Sequence, residues 1–411
     1  MPKLPTLMPR PVLFITSNGT LIPTWEHLAR HYDLCIIGPQ AGLAMDMGLE
    51  GAYPLAKYGN ADLNEVAINA SYEIAGKLHQ SALSASLSSE VERWSESGAE
   101  QLSASQVRQW FPAMVGEHVR QQAMIINMLK AAMSERQVAG CVVHEDVTPD
   151  MRAIVLYCKA RGVPTIHVPH ANTYYTNDEW DIHTESVSGY IAAGGNYSRE
   201  FYIKWGFPAD RIHITGTPQL DSWYTDNPPS QKESRQVLGI GQDDFAIIYA
   251  TSWAQLTAIR GGYEDEHTRN LKVMTQVARD MKAALVVKMH PGEGQGQETV
   301  YHKFLQDEKV NGCVTRHYNE YVLRAGDVLV AHGPSNICVN AAIVGLPSVT
   351  IPTEGHEFPF GPVRYNGDMK VSIEEAMKVG GWDEFAKTMN DAHPKGNAGE
   401  RIAEFVKGVC G

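Results

Sequence analysis

Twice along this chain a series of short apolar runs alternates with helix-patterned stretches, and this alternation restricts the fold more than any other feature. Residues 11–17 (PVLFITS) end at the turn pair Asn18-Gly19, and residues 31–38 (HYDLCIIG) form the next run. Residues 60–137 read as helix throughout, with Met, Leu and Ile three and four apart between Val107 and Met133, and with a Ser- and Glu-rich, solvated helical excursion over Ser81–Ser105. A β-α-β unit follows: strand over Gly140–Val147, helix over Pro149–Arg161, strand over Pro164–Pro169. Tyr190–Ala193 and Ile212–Thr215 are further strands, with a helix between them that ends near Gly206. Apolar runs of this kind, uninterrupted rather than alternating with polar residues, belong to a parallel sheet covered by helices on both faces.

The pattern stops at Asp226–Glu233 (DNPPSQKE), which has the polar, proline-containing character of a linker, and then restarts. Strands are predicted at Phe245–Ala250, Ala284–Met289, Gly312–Thr315, Asp327–Ala331 and Ser348–Ile351, with helices over Thr268–Lys282 and from Asn336. A length of 411 residues exceeds what one hydrophobic core supports. The expected architecture is therefore α/β, with two doubly wound parallel-sheet domains at 1–225 and 226–395, and a helix at 396–411 crossing back to the first. Ligands of such folds bind beyond the carboxyl ends of the strands, here in the cleft between the two sheets.

A formal net charge of -12 argues against a general nucleic-acid coat, which needs a basic surface. The six cysteines are scattered without a C-x-x-C pair, as expected of free thiols in a reducing cytoplasm. The first residues lack a signal-peptide core, and no apolar stretch reaches the roughly 18 residues of a membrane span, so a cytoplasmic protein without integral membrane contact is expected. The sixteen histidines include no H-E-x-x-H or H-x-H pair, and there is no D-x-D triplet, so no metal is expected.

Groups able to do chemistry gather at the predicted strand ends. Lys288-Met289-His290-Pro291-Gly292 closes one strand, with Gly294 and Gly296 just beyond; neither a G-x-G-x-x-G nor a G-x-x-x-x-G-K-[ST] loop is present. His332-Gly333-Pro334-Ser335-Asn336 follows another strand and opens a helix, an arrangement that suits a diphosphate or, alternatively, serves only to cap the helix. His170, at a first-domain strand end, is a candidate general base, or else a histidine held inside a turn. Glu145 and Asp146, after His144, are alternative bases or caps of the helix that starts at Pro149. Tyr174, Tyr175 and Trp180 are candidates for stacking on a sugar or base, or for covering their own loop.

The order of the blocks Gly216-Thr217-Pro218-Gln219-Leu220-Asp221, Ile248–Trp253, Val287–Pro291, Ala325–Val330, the Ser335 helix start and Val344–Pro347 resembles that of CDP-glycerol glycerophosphotransferases. UDP-GlcNAc 2-epimerases share the last few of these blocks. Pro169-His170-Ala171 resembles the transferases' H-G pair, and Gly396–Ile402 resembles the closing helix of many GT-B proteins. The chain departs from the pattern at Gln219 (Arg in the transferases), at His332–Ser335 (D-Y-S-S) and at Ala171 (Gly). The resemblance implies the GT-B fold. It also implies a nucleotide-diphosphate donor, UDP first, lying against Gly216, Thr251, Ser252, Trp253, Lys288, His290, His332, Gly333, Ser335, Asn336 and Glu354, with no other cofactor. The expected activity is a metal-independent, inverting glycosyl transfer to an acceptor hydroxyl, with His170, Glu145 or Asp146 as base. The acceptor class stays open among glycan, polymer, lipid and modified nucleobase. Alternatives are a CDP-polyol phosphotransferase, a non-hydrolysing nucleotide-sugar epimerase and a degenerate GT-B binding protein.

Overall fold

The predicted alternation becomes two parallel sheets, each wound in the same order. A computed structural model of the chain describes residues 10–79, 104–170, 185–224, 227–251, 263–333, 335–352, 361–390 and 396–411. The first sheet contains β1 (Val12–Thr16), β2 (Asp33–Ile37), β3 (Tyr53–Pro54), β4 (Val138–Val143), β5 (Thr165–His167), β6 (Tyr190–Ala193) and β7 (Ile212–Ile214), ordered β3-β2-β1-β4-β5-β6-β7. The second contains β8 (Ala246–Ala250), β9 (Ala284–Lys288), β10 (Gly312–Thr315), β11 (Val328–His332), β12 (Ser348–Ile351) and β13 (Val363–Arg364), ordered β10-β9-β8-β11-β12-β13. Every pairing in the first sheet is parallel, and so is every pairing in the second. In each sheet the winding direction reverses once, between β1 and β4 and between β8 and β11. Such switch points open a crevice at the carboxyl edge, where ligands of this architecture bind.

The strands read correctly because both of their faces are covered. In β1, Leu13 and Ile15 pack with Trp25 of α1 (Ile22–Leu28), while Val12 and Phe14 pack on the other face. That second face is covered by Leu129 and Ala132 of the long α4 (Ala104–Glu135) and by Ile154, Val155 and Cys158 of α5 (Pro149–Ala160). Between β1 and α4 lie α2 (Ala41–Asp46) and α3 (Ala61–His79), and α6 (Asn196–Lys204) joins β6 to β7. The second sheet repeats the arrangement. Ile247, Leu285 and Val287 meet α8 (Tyr263–Met281) and α9 (Gln295–Asp307) through Leu271, Met274 and Tyr301. Ile248 and Val286 meet α10 (Asn319–Ala325) and α11 (Asn336–Ile343) through Val322, Leu323 and Cys338. After α12 (Met369–Ala376) and α13 (Trp382–Met389), α14 (Ala398–Cys410) buries Ile402, Ala403 and Val406 in the core of the first sheet. The Asp221 carboxylate accepts from the Ala398 and Gly399 N–H groups at 2.9 Å each, placing negative charge at the amino end of α14, where the helix dipole favours it.

Several local expectations shift. β4 ends at Val143 rather than Val147, because the His144 N–H leaves the ladder and donates to Thr16 Oγ1 at 3.1 Å. The two-residue strands β3 and β13 are too short for any periodicity to reveal. Within the proline-containing stretch, Ser230 and Glu233 form a capping box that starts α7 (Gln231–Leu238). Residues 81–103 of the Ser- and Glu-rich stretch lie outside the described residues. All six cysteines are free. Among the described residues no helix is long and apolar enough to cross a membrane.

Candidate active site

At the switch point of the first sheet, the ends of β1 and β4 are tied together by Thr16 and His144. The Thr16 hydroxyl lies 2.8 Å from His144 Nδ1, and both groups face the carboxyl edge of the sheet. Beyond the end of β5, His170 donates its backbone N–H to the His144 carbonyl at 3.1 Å, and its ring stands edge-on to the His144 ring with centroids 6.0 Å apart. His170 Nδ1 is 3.4 Å from the same carbonyl, an atom that can only accept. The proton of a neutral His170 therefore sits on Nδ1, and the lone pair on Nε2. Burial lowers the His144 imidazole to about 4, against an upward pull from Glu145 and with a further downward push from His170 and His167.

The two carboxylates considered as bases occupy different settings. Asp146 is fully buried, and its Oδ2 accepts from the Ser186 hydroxyl at 2.7 Å and from the Val187 and Ser188 N–H groups at 2.9 and 2.8 Å. Its Oδ1 lies 3.6 Å from His167 Nδ1. Burial raises the Asp146 carboxyl, but His167 and the hydrogen bonds from Ser186 and Ser188 outweigh it, and the net direction is down. Asp146 thus anchors the segment leading into β6. Glu145 is half-buried and accepts from the Thr148 hydroxyl at 2.6 Å.

In the second domain the ends of β8 and β9 are held by a residue that sequence reasoning did not single out. Glu293 is 4% exposed; its Oε2 accepts from the His290 N–H at 2.8 Å and from the Thr251 hydroxyl, and its Oε1 from the Tyr301 hydroxyl at 2.5 Å. An acid directly after the strand-end Pro291-Gly292 pair is a faint hint in the sequence; its partners are set by tertiary packing alone. Lys288 is only 7% exposed and its Nζ donates to the Met289 carbonyl at 3.3 Å, so much of this cation is inside the domain. Burial lowers the Lys288 ammonium and Arg316 adds to the lowering, while Glu293 opposes both. His290 Nδ1 accepts from the Gly292 N–H at 3.0 Å, which leaves a neutral His290 ring with its proton on Nε2, a donor suited to a phosphate oxygen. Burial lowers His290, as does Lys288, against Glu293.

At the end of β11, His332 is buried and Gly333 turns the chain at φ +79°, a conformation that favours glycine, while its N–H donates to the Ile351 carbonyl at 2.8 Å. Ser335 is the residue before α11 in extended conformation and makes no side-chain cap, so the hydroxyl is not spent on the helix amides. Asn336 is half-buried at the first helical position. Gly216 follows β7, and the next residue, Thr217, donates its N–H to Asn390 Oδ1 at 2.8 Å. Gln219, which replaces the arginine of the resembling motif, donates to the Thr20 hydroxyl beyond β1. Ser252, Trp253, Glu354, Tyr174, Tyr175 and Trp180 lie outside the described residues. Among the described residues no cluster of His, Cys, Asp or Glu could hold a metal ion.

The depressed His144 group carries a pH signature. In the unfolded chain this imidazole takes up a proton near pH 6.5, whereas the folded protein resists until about 4. Stability is therefore lost as pH falls through that window, by up to about 1.4 kcal/mol per pH unit from this group. Urea denaturation of wild type and His144→Gln between pH 7 and 4.5 is expected to show a shallower decline for the variant; parallel declines would remove His144 as the source.

Residues 158–331 match the family of CDP-glycerol:poly(glycerophosphate) glycerophosphotransferases. This span runs from α5 to β11 and includes His170, the Gly216 turn, Lys288 and His290. No curated protein matches the chain. Among solved structures it is similar to UDP-GlcNAc 2-epimerase from Neisseria meningitidis, at 14% identity and TM-score 0.55, covering 97% of this chain and 99% of that one. UDP-N-acetylglucosamine 2-epimerase from Rickettsia bellii is similar at 12% identity and TM-score 0.57, covering 98% and 97%. The Methanocaldococcus jannaschii enzyme, solved in complex with UDP-GlcNAc and UDP, is similar at 13% identity and TM-score 0.54, covering 97% and 99%. At these identities the likeness is one of fold, and that fold is GT-B-like. The chain thus resembles both the glycerophosphotransferases and the epimerases.

Proposed function

We propose that the protein is a transferase that takes a nucleotide-diphosphate-linked donor, a UDP-sugar first, and passes the linked group to an acceptor hydroxyl. The observation that carries this reading is the pairing of two histidines in opposite roles at strand ends: His170 with a lone pair on Nε2, and His290 with a proton there. One suits removal of a proton from the attacking hydroxyl and the other suits a hydrogen bond to the departing diphosphate. In glycosyl transfer the hydroxyl oxygen attacks the anomeric carbon, the bond from that carbon to the diphosphate oxygen breaks, and a nucleoside diphosphate leaves. The diphosphate would lie against Ser335, Asn336, Lys288 and His290, with the nucleoside between Gly216 and Thr251–Trp253. No metal enters this scheme.

The match over residues 158–331 favours a second reading, transfer of a polyol phosphate. There the hydroxyl attacks the distal phosphorus, the P–O–P bridge breaks, and a nucleoside monophosphate leaves. Phosphorus NMR of turnover mixtures with UDP-GlcNAc, UDP-glucose and CDP-glycerol separates the two, since the first reaction yields a diphosphate and the second a monophosphate. Lys288→Ala is expected to weaken nucleotide binding by about 1.5–3 kcal/mol in calorimetry, the cost of a charged hydrogen bond. Unchanged affinity in a folded variant would take Lys288 out of the donor site, and absence of binding to every nucleotide offered would sink the transferase reading.

A further inference from the structure

The first sheet's switch point holds a cavity of about 400 Å³ that the donor site does not use. Its walls come from the ends of β1, β2 and β4 and from α4 and α5, chiefly through Ile37, Leu55, Ile125, Met128 and Met151. Its polar end is formed by Thr16, His144 and Asp150. Gly38 closes one side where β2 ends. Its φ of +121° is a conformation that favours glycine, and a Cβ there would stand 2.3 Å from Ser17 Oγ. The volume is in the range of small-molecule sites, and an apolar wall with few polar groups is the common composition of such sites.

Two of the polar groups define what the cavity takes. Asp150 Oδ1 is buried and no hydrogen-bond donor reaches it. The Asp150 carboxylate as a whole lines the polar end of the cavity, and a ligand that brings a hydroxyl or ammonium group to it is favoured. His144, lowered to about 4, is neutral near pH 7 and therefore adds no charge to the cavity. The His144 ring separates the cavity from His170, whose ring centroid is 6.0 Å away.

We propose that this cavity binds the body of a small amphipathic acceptor, an aromatic or branched alkyl group bearing a hydroxyl or ammonium that donates to Asp150. Naming the occupant an acceptor rests on the transferase reading; the chemistry of the cavity does not. A carboxylate-bearing analogue of the same size is excluded by charge, because it would set two anions against each other.

Ligand-observed NMR on the full chain with 2-phenylethanol, 2-phenylethylamine and phenylacetate tests this. The alcohol and amine are expected to bind, and phenylacetate about tenfold more weakly, a difference of one charged hydrogen bond. Asp150→Asn should abolish the preference for amine over acetate. Met128→Trp, which fills the cavity, and Ala56→Trp, an exposed position on its rim, should each abolish binding in protein with unchanged circular dichroism. Equal binding of phenylacetate, survival of binding in both tryptophan variants, or no binding of any probe overturns the proposal. UDP and CDP titrated into the same samples keep the two readings apart. Loss of nucleotide binding with intact probe binding removes the donor site alone, and the reverse removes the cavity alone.

Discussion

His170→Ala is expected to slow transfer by roughly 10²–10⁴-fold while nucleotide binding persists. The argument is one of proton position. The His144 carbonyl lies 3.4 Å from His170 Nδ1 and has no proton to give, so the imidazole places its own proton there and keeps the lone pair on Nε2. A base must offer that lone pair to the hydroxyl as the new bond forms. Alanine removes it without touching Lys288, His290 or the Ser335 turn, all of which belong to the other sheet. Hydrolysis of the donor by water should survive better than transfer, because water needs less positioning than a bound acceptor. The measurement is steady-state turnover alongside calorimetric nucleotide affinity. Transfer by His170→Ala within a few fold of wild type would falsify the assignment and move the role to Glu145, which Glu145→Gln then tests.

Asp146→Ala is expected to lower stability by at least about 3 kcal/mol, a larger effect than most single substitutions produce. The carboxylate holds three donors on one oxygen and His167 beside the other, all inside the first domain. Each hydrogen bond to a charged group contributes roughly 1.5–3 kcal/mol, and they do not add independently. Removing the acceptor also leaves the Val187 and Ser188 amides facing a void. Asp146→Asn keeps the shape and one acceptor oxygen, so it should lose less stability and retain turnover per folded molecule. Denaturant titration gives the first quantity, and activity normalised to folded protein gives the second. An Asp146→Asn enzyme that is stable but catalytically dead would show that this buried group is the base after all.

Most strands were legible because their residues are apolar on both faces, a signal that survives without knowledge of the tertiary structure. Residues 245–250 and 284–289 are cases where the predicted and observed strands differ by one residue at one end. The strand-end locations of Lys288, His290 and His332 were legible for the same reason, since a polar residue closing an apolar run must lie at an edge. What each one does there was not. Lys288 lies inside the domain with the charges of Arg316 and Glu293 acting on it, and that setting depends on a loop conformation rather than on spacing. The early end of β4 depends on Thr16, 128 residues away from His144, and no local pattern encodes it. Gln219 is a parallel case. The departure from the resembling motif is visible in sequence, but its bond to Thr20 is not.

The return of α14 to the first sheet bears on the order in which the chain acquires its structure. Ile402, Ala403 and Val406 fill space beside Leu13, Ile15 and Trp25, so a strand made before the second sheet and a helix made after it share a core. Synthesis at ~5–20 residues per second delivers that helix roughly 10–40 s after β7 has emerged. Until then the face of the first sheet that carries Leu13 and Ile15 is covered only in part, by α1, and the Asp221 carboxylate has no helix to cap. The first sheet is thus completed only after the second has been made, and the part of its apolar face that α14 covers is, until then, a surface that a holding chaperone would cover.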